Sequence, residues 1–162
     1  MFVHAINCAR ERIWIASPYF VPDRPVVTAL QLAGLRGVDV RILIPDKADH
    51  LGVWLAAYSY LDESASTGVD FYRYQDGFLH QKVVLIDDAV ATVGTANFDN
   101  RSFRLNFEIT AVVADGAFAA EVEAMLEEDF AKSRLMEPDE FDRKPWWFRF
   151  GVKLARLTAP VQ

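Results

Sequence analysis

The stretch from Phe78 to Glu108 constrains the fold of this chain more than any other part of it. It contains a run of four apolar residues, Val83 to Ile86, which is typical of a buried strand. Two aspartates then predict a tight turn, and a second β-rich run from Ala89 to Thr95 follows. Folded back as a hairpin, this stretch would bring the residues before its first strand close to the residues after its second strand.

Polar side chains suited to catalysis lie at that open end of the predicted hairpin. His80 and Lys82 are separated by one residue, so in an extended segment both would point to one face. Thr95 and Asn97 follow the second run. An imidazole acts as a nucleophile or general acid near neutral pH, and ammonium, amide and hydroxyl groups stabilise phosphoryl oxygens. A carboxylate such as Glu108 would fix the imidazole tautomer, so the cluster favours phosphoryl transfer.

The spacing H-x-K-x(4)-D-x(6)-G-[ST]-x-N, from His80 through Asp87 and Gly94 to Asn97, resembles the HKD motif of the phospholipase D superfamily. The flanking segments FLHQK, GTANFDNRSF and LNFE resemble the second HKD half of bacterial cardiolipin synthases. The resemblance covers the chain essentially end to end. It implies a phospholipase D-like α/β fold with α/β/α layers and a mixed sheet. The plain alternative is an ordinary strand pair with a surface histidine and lysine.

This resemblance implies phosphatidyl transfer through a phosphohistidine, from one phosphatidylglycerol to another, giving cardiolipin and glycerol. Two HKD motifs meet at one site in that superfamily, and His80 would be the general acid and base, assisted by Glu108. Asp87 is expected to be structural within the motif, because it falls at the far end of the strand. No metal or other cofactor is expected. The candidate catalytic residues are His80, Lys82, Asp87, Asn97 and Glu108, and the candidate substrate-binding residues are Thr95, Tyr19 and Phe20.

Two alternative functions stay open at this point. A single-motif chain that builds one site across a two-fold axis would be a phosphodiesterase or nuclease, and an isolated half would be an inactive scaffold. The net charge of −6 argues against a nucleic-acid partner. The expected partners are therefore a phospholipid substrate, a membrane surface, and either the first HKD half of the same enzyme or a second copy of this chain.

Length and cysteine content indicate the size of the domain and its compartment. A chain of 162 residues fits one domain with a real core. The single Cys8 falls in a helical apolar pattern and is expected to be a buried reduced thiol. There is no run of 18 apolar residues. These features favour a soluble or peripheral domain in a cytoplasmic environment. The resemblance to cardiolipin synthases implies a peripheral position at the cytoplasmic face of the inner membrane, with the parent protein anchored there.

Periodicity predicts helices that alternate with strands, which is typical of an α/β layered fold. Predicted helices cover 2–12, 26–35, 51–66 and 117–133, and predicted strands cover 13–16, 38–44, 69–74, 83–86, 89–95 and 107–113. His4 lies on the first helix and His50 in a polar loop over 46–50. Neither is followed by a lysine two residues later, so neither is expected to be a second catalytic histidine.

The C-terminal segment differs in character from the rest of the chain, so the division is a phospholipase D-like domain over 1–143 and a helix within 144–162. Pro145 suits the first turn of a helix. An apolar stripe then recurs at three- and four-residue spacing, namely Trp147, Phe150, Leu154 and Leu157. Four basic residues and no acidic residue lie in 144–157. This pattern predicts a helix that packs on the domain, contacts the membrane surface, or does both.

Overall fold

The structure, a computed structural model, describes residues 1–47, 51–64 and 66–157, without the side chains of Leu51 and Val53. Its helices are α1 Phe2–Cys8, α2 Arg24–Leu35, α3 Leu51–Ser64, α4 Asn100–Arg104, α5 Gly116–Ala131 and α6 Trp146–Leu157. Its strands are β1 Arg12–Ala16, β2 Phe20–Val21, β3 Asp39–Pro45, β4 Val69–Tyr74, β5 Val83–Ile86, β6 Val90–Gly94, β7 Phe98–Asp99, β8 Thr110–Val113 and β9 Ser133–Leu135. The position predicted for His50 lies outside the described residues.

Seven of the described strands form one mixed sheet in the order β8-β6-β5-β1-β3-β4-β9. Strands β1, β3 and β4 are parallel, and α2 and α3 connect them. Strands β5, β6 and β8 extend the sheet on one side as antiparallel neighbours, and β9 closes the other side. The predicted α/β fold with a mixed sheet is therefore confirmed.

Helices cover both faces of this sheet, which confirms the predicted α/β/α layers. Strand β1 shows the division, since Ile13 and Ile15 belong to the hydrophobic cluster formed with α1, α2, α3 and α6. The alternate residues Trp14 and Ala16 belong to the cluster formed with α5. This alternation follows from the two-residue period of a strand whose two faces are both buried.

Two element boundaries differ from their predictions by three or more residues, namely the end of α1 and the start of β8. Helix α1 ends at Cys8 rather than continuing to Arg12, because the chain bends at Arg10 and Glu11 before it enters β1. Cys8 is therefore exposed, whereas the sequence predicted a buried thiol. Strand β8 begins at Thr110, and Phe107 before it is fully exposed. In both places the apolar pattern continues past the end of the regular hydrogen bonding.

Asp87 lies in the turn between β5 and β6, and its side chain fixes the bend between α1 and β1. Its carboxylate accepts the backbone N–H groups of Arg10, Glu11 and Arg12 at 2.8–3.2 Å. Burial acts to raise the pKa of Asp87, but these three donors outweigh it and hold the pKa below its ordinary value. From His80 to Asp87 the chain runs seven residues, or roughly 20 Å when extended. These contacts support the expectation that Asp87 is a structural member of the motif and does not contact the substrate.

We expect Asp87→Ala to lower the free energy of unfolding by about 2 kcal/mol, because it removes a charged acceptor from three amides. Urea titration checks this, with Asp88→Ala as the matched control. Asp88 lies in the same turn, is largely exposed and pairs with Arg12, so its loss should cost less than about 1 kcal/mol. Equal costs for the two variants would contradict the structural role of Asp87.

The same comparison has a defined pH dependence. Because the pKa of Asp87 is lower in the folded protein, its contribution is complete above the unfolded pKa of about 3.9. That contribution is lost as the pH falls through the lower, folded pKa. The difference in unfolding free energy between wild type and Asp87→Ala should therefore be constant near neutrality and shrink below about pH 4.

Helix α6 forms where the sequence predicts it and packs on α3. The Phe148 ring lies edge-on to Trp54 and Tyr58 at centroid distances of 6.0 and 5.1 Å, and Val152 is buried. Among the described residues, no helix has the length and apolar character needed to cross a membrane.

Candidate active site

The hairpin of β5 and β6 forms as predicted, and its strand pairing extends to the end opposite the turn. Val83 pairs with Val93, and beyond that pair the Gly94 N–H donates to the Lys82 carbonyl at 3.2 Å. His80 and Lys82 therefore lie in the segment that leads into β5, next to the residues that leave β6. His80 is exposed.

The side chains of His80 and Lys82 are each held by a neighbour. The His80 ring stacks on Phe78 with a centroid distance of 5.4 Å and an interplanar angle of 14°. The Lys82 ammonium donates to the His80 carbonyl at 2.7 Å. Burial lowers the pKa of Lys82, and the charges of Glu108 and Asp99 oppose that shift. Lys82 is thus a partly dehydrated cation held at the His80 backbone, where it interacts more strongly with an anion than it would in bulk water.

Gly94 allows β8 to approach the site at very short range. A Cβ atom on Gly94 would lie 2.4 Å from the Ile109 carbonyl oxygen and 2.7 Å from the Thr110 Cα. The next residue, Thr95, donates its backbone N–H to the same Ile109 carbonyl at 2.9 Å. This close pairing brings Glu108 beside Thr95, so the glycine of the motif is required by backbone packing.

Glu108 is the acceptor at the centre of a hydrogen-bond network. Its carboxylate accepts from the Thr95 hydroxyl at 2.5 Å, the Asn106 amide at 3.1 Å and the Ser102 hydroxyl at 3.3 Å. The bond from Thr95 is the main cause that lowers the pKa of Glu108. Among the described residues no hydrogen bond joins Glu108 to His80, so the expected contact is not formed. The Thr95 proton is engaged by Glu108, which makes Thr95 a residue that orients the carboxylate.

Sequence reasoning did not identify Ser102 and Asp99, which position this network. The Ser102 hydroxyl is buried, donates to Glu108 and accepts the backbone N–H of Asn97 at 3.1 Å. Asp99 is also buried and caps α4 by accepting the Ser102 N–H at 2.6 Å. The signal available in the sequence was an aspartate three residues before a serine, a common N-cap arrangement.

The Asn97 side chain lies at the site with an unused polar atom. Its amide oxygen is buried and has no hydrogen-bond partner in the part of the chain that the structure describes. Leaving such an atom unpaired costs roughly 1–3 kcal/mol. An unpaired buried polar atom in a cluster of polar groups is a mark of function, since it is available to a ligand or an incoming group.

The two aromatic candidates before α2 lie in different environments. Phe20 is 3% exposed, and its ring contacts Tyr60, Phe71 and Phe98 in the core. This burial corrects the expectation that Phe20 lines the site, because β2 pairs with β7 and turns that side chain inward. Tyr19 is half-buried in the same segment.

That segment is attached directly to the motif through one buried serine. The Ser17 hydroxyl donates to the Tyr19 carbonyl at 2.7 Å and accepts the Phe98 N–H at 3.0 Å. The segment carrying Tyr19 is therefore fixed beside the residue that follows Asn97.

A groove of about 420 Å³ opens beside Glu108. Val26 and Phe103 give it apolar walls, and Ser102 contributes a polar group. Its size falls within the range of small-molecule sites. Within the described residues no group of three or more His, Cys, Asp or Glu side chains could hold a metal ion.

Comparison with known families gives a match over most of the chain. The family model described as "Cardiolipin synthase, PLD-like domain" matches residues 2–130. Cardiolipin synthase A of Pseudomonas aeruginosa (strain LESB58) is 55% identical over 160 residues, covering 99% of this chain and 33% of the relative. Cardiolipin synthase A of Pseudomonas fluorescens is 52% identical with the same coverage. The chain thus spans about a third of the length of the curated relatives it matches.

Two solved structures share the fold at low identity. A phospholipase D family member, Nuc from Salmonella typhimurium, superposes with a TM-score of 0.74 at 20% identity, covering 84% of this chain and 88% of that one. Phosphatidylserine synthase from Haemophilus influenzae superposes with a TM-score of 0.78 at 16% identity. That superposition covers 99% of this chain and 44% of the synthase.

Proposed function

We propose a function from one premise: the chain belongs to the family of phospholipase D-like domains of cardiolipin synthase. The chain is the second catalytic half of a phosphatidyltransferase. The parent enzyme transfers a phosphatidyl group from one phosphatidylglycerol to another and releases glycerol. The support for this substrate pair is the 55% identity to cardiolipin synthase A over nearly the whole chain.

The single observation that carries the proposal is the half-site at the open end of the hairpin. His80 is exposed there beside the Lys82 cation, and it is the only histidine in the sequence followed by lysine two residues later. A displacement at phosphorus that passes through a phosphohistidine needs one group to attack and another to protonate the leaving oxygen. This chain offers one such imidazole, so the second comes from another HKD half.

The reaction proceeds in two displacements. In the first, the histidine of the other half attacks phosphorus, a P–N bond forms, and the P–O bond to glycerol breaks as His80 protonates the departing oxygen. In the second, His80 takes the proton from the terminal hydroxyl of another phosphatidylglycerol. That oxygen attacks phosphorus and the P–N bond breaks, which gives cardiolipin and regenerates both imidazoles.

Lys82 and Asn97 are the groups of this half that bind the phosphoryl oxygens. Lys82 supplies a fixed positive charge where negative charge develops. Asn97 would donate to a phosphoryl oxygen from its amide nitrogen. Its buried amide oxygen has no partner among the described residues and is open to a hydrogen-bond donor such as the hydroxyl of the acceptor lipid. Glu108 and Thr95 orient this edge of the site, and the charge of Glu108 favours the ammonium form of Lys82. Tyr19 is proposed as a lining residue on the attached segment.

Exposed apolar side chains border the half-site and suit a surface that is covered in the complete enzyme. Phe78 stacks on His80, and Leu105, Phe107 and Ile109 lie around Glu108 in the sequence. All four are strongly exposed. Monomeric proteins rarely leave large apolar patches open to water. We assign this face to the other HKD half or to a second copy of the chain.

The parent protein is proposed to work at a membrane, since both of its substrates are lipids there. Its relatives are cardiolipin synthases. Cys8 is a free and exposed thiol, which suits a reducing compartment and so supports the cytoplasmic face.

Product analysis of the parent protein tests the proposed function. The protein is incubated with phosphatidylglycerol alone, with phosphatidylethanolamine added, and with labelled DNA, and the products are identified by mass spectrometry or on a gel. Equimolar cardiolipin and glycerol from phosphatidylglycerol alone is the expected result. Cleavage of DNA without cardiolipin would contradict the proposal and favour a phosphodiesterase, and a requirement for phosphatidylethanolamine would change the donor.

A further inference from the structure

Helix α6 has two apolar faces on nearly opposite sides. Phe148, Val152 and Ala155 follow one another at helical spacing and pack on the core side, toward α3. At 100° per residue, the large side chains between them point the other way. A surface helix of a globular domain needs only one such face, so the second face requires a separate explanation.

The second face, here called the outer face of α6, is open to solvent. Its members are 50–79% exposed, namely Trp146, Trp147, Phe150, Leu154 and Leu157. This is the stripe that the periodicity identified, with Trp146 added. The structure shows that it is not the face that packs on the domain.

Positive charge flanks the outer face. Arg149 pairs with Asp142 at 3.3 Å, and Arg156 pairs with Glu63. Lys153 is exposed and has no ion-pair partner among the described residues. No acidic residue occurs in 144–157, although the whole chain has a net charge of −6. Local positive charge therefore coincides with local apolar exposure.

We propose that the outer face of α6 lies in the headgroup region of a bilayer rich in anionic phospholipid. An interfacial helix buries its apolar side 5–10 Å deep and is held by basic residues beside it. Tryptophan favours that depth because its ring is apolar and its N–H is polar. This surface contact is additional to phosphatidyl transfer and does not depend on turnover.

Charge complementarity favours a lipid surface over a protein partner. The unpaired Lys153 and the absence of carboxylates on α6 match a surface of uniform negative charge. The outer face is the convex side of a single helix, whose other side is already occupied by α3. A convex stripe with five large apolar side chains can insert into a flat, deformable surface such as a lipid bilayer.

Vesicle co-sedimentation of the chain with a matched pair of variants tests the proposal. The test variant is Phe150→Ser with Leu154→Ser. The control is Leu32→Ser with Leu35→Ser, which removes two exposed leucines from α2. On phosphatidylglycerol-rich vesicles the test variant should bind about tenfold more weakly or worse. The control should stay within about twofold of wild type.

Two charge variants separate electrostatic attraction to anionic lipid from non-specific hydrophobic binding. Lys153→Glu changes the local charge by two units and should weaken binding by about thirtyfold, from roughly 1 kcal/mol per charge near the surface. Lys132→Glu, an exposed lysine at the end of α5, should change it little. Added salt and phosphatidylcholine vesicles should both reduce wild-type binding. Binding should shift the tryptophan emission to the blue, since Trp146 and Trp147 leave water.

Several results would overturn the proposal. One is a test variant that remains folded by circular dichroism and binds these vesicles as tightly as wild type. Another is equal binding to phosphatidylcholine and phosphatidylglycerol. If the test variant instead loses self-association in sedimentation and keeps its vesicle binding, the outer face is a protein interface. None of these results depends on enzymatic activity, so they leave the proposed function to its own test.

Discussion

Replacing His80 with alanine in the parent protein is expected to lower cardiolipin formation by about 10³-fold or more, because general acid–base catalysis alone contributes about 10²–10⁴-fold. The imidazole protonates the departing glycerol oxygen and then activates the acceptor hydroxyl, so its loss affects both displacements. His80 is exposed, and its removal should leave the unfolding free energy within about 0.5 kcal/mol of wild type. Initial rates with labelled phosphatidylglycerol measure the effect.

His4→Ala is the matched control for this prediction. His4 is also an exposed histidine, and it lies on α1. Its replacement should leave the rate within about twofold, as expected for a surface substitution. If His80→Ala retains more than a small fraction of wild-type activity while the protein stays folded, His80 is neither the acid–base group nor the nucleophile.

Gly94→Ala is expected to lower the free energy of unfolding by about 3 kcal/mol, the upper end of overpacking costs. The new Cβ would lie 2.4 Å from the Ile109 carbonyl and 2.7 Å from the Thr110 Cα. Both are backbone atoms, so the only relief is for β8 to move away from β6. That movement would separate Thr95 from Glu108 and lower activity in the variant protein that remains folded. Urea titration and rate measurements on the same preparation check both effects.

Gly116→Ala provides a control of the same chemistry. Its Cβ would meet only the Asp88 carbonyl, at an ordinary distance of 3.6 Å. Alanine also favours the helix that begins there. Unfolding energies that change equally in the two variants would show that the close approach at Gly94 does not control the position of β8.

The sheet and its helices could be predicted from the sequence because each main element carries a long apolar pattern. The run from Val83 to Ile86 predicted β5, and the β-rich run after the turn predicted β6. The segments β2, β7 and β9 were missed because two or three residues hold no measurable period. Helix α4 was missed for the same reason, since it has only five residues.

The candidate site was predicted as a set of residues rather than as a set of contacts. The motif identified His80, Lys82 and Asn97, and the hairpin accounts for their proximity. The partner of Glu108 depends on the register of β6 and β8, in which Gly94 lies opposite Thr110. No local pattern in the sequence fixes that register. The sequence therefore predicts a hydrogen bond from His80 to Glu108, whereas in the structure the nearest donor to Glu108 is Thr95.

The α6 result shows a different limit of sequence reasoning. Periodicity identified the stripe of Trp147, Phe150 and Leu154 correctly, but it could not tell which apolar face would pack on the domain. The answer depends on tertiary fit, since Phe148 fills the space beside Trp54 and Tyr58. The stripe with more aromatic residues is the one that faces solvent.

The central claim is that this chain is half of an active site, and sedimentation combined with turnover on the same samples tests it most directly. The chain is studied over a wide concentration range, with sedimentation velocity giving its association state and phosphatidylglycerol turnover giving its activity per chain. We predict no activity, or very weak activity, wherever the chain is monomeric, and any activity should rise only with formation of dimers. A strictly monomeric chain with brisk turnover at every concentration would contradict the account.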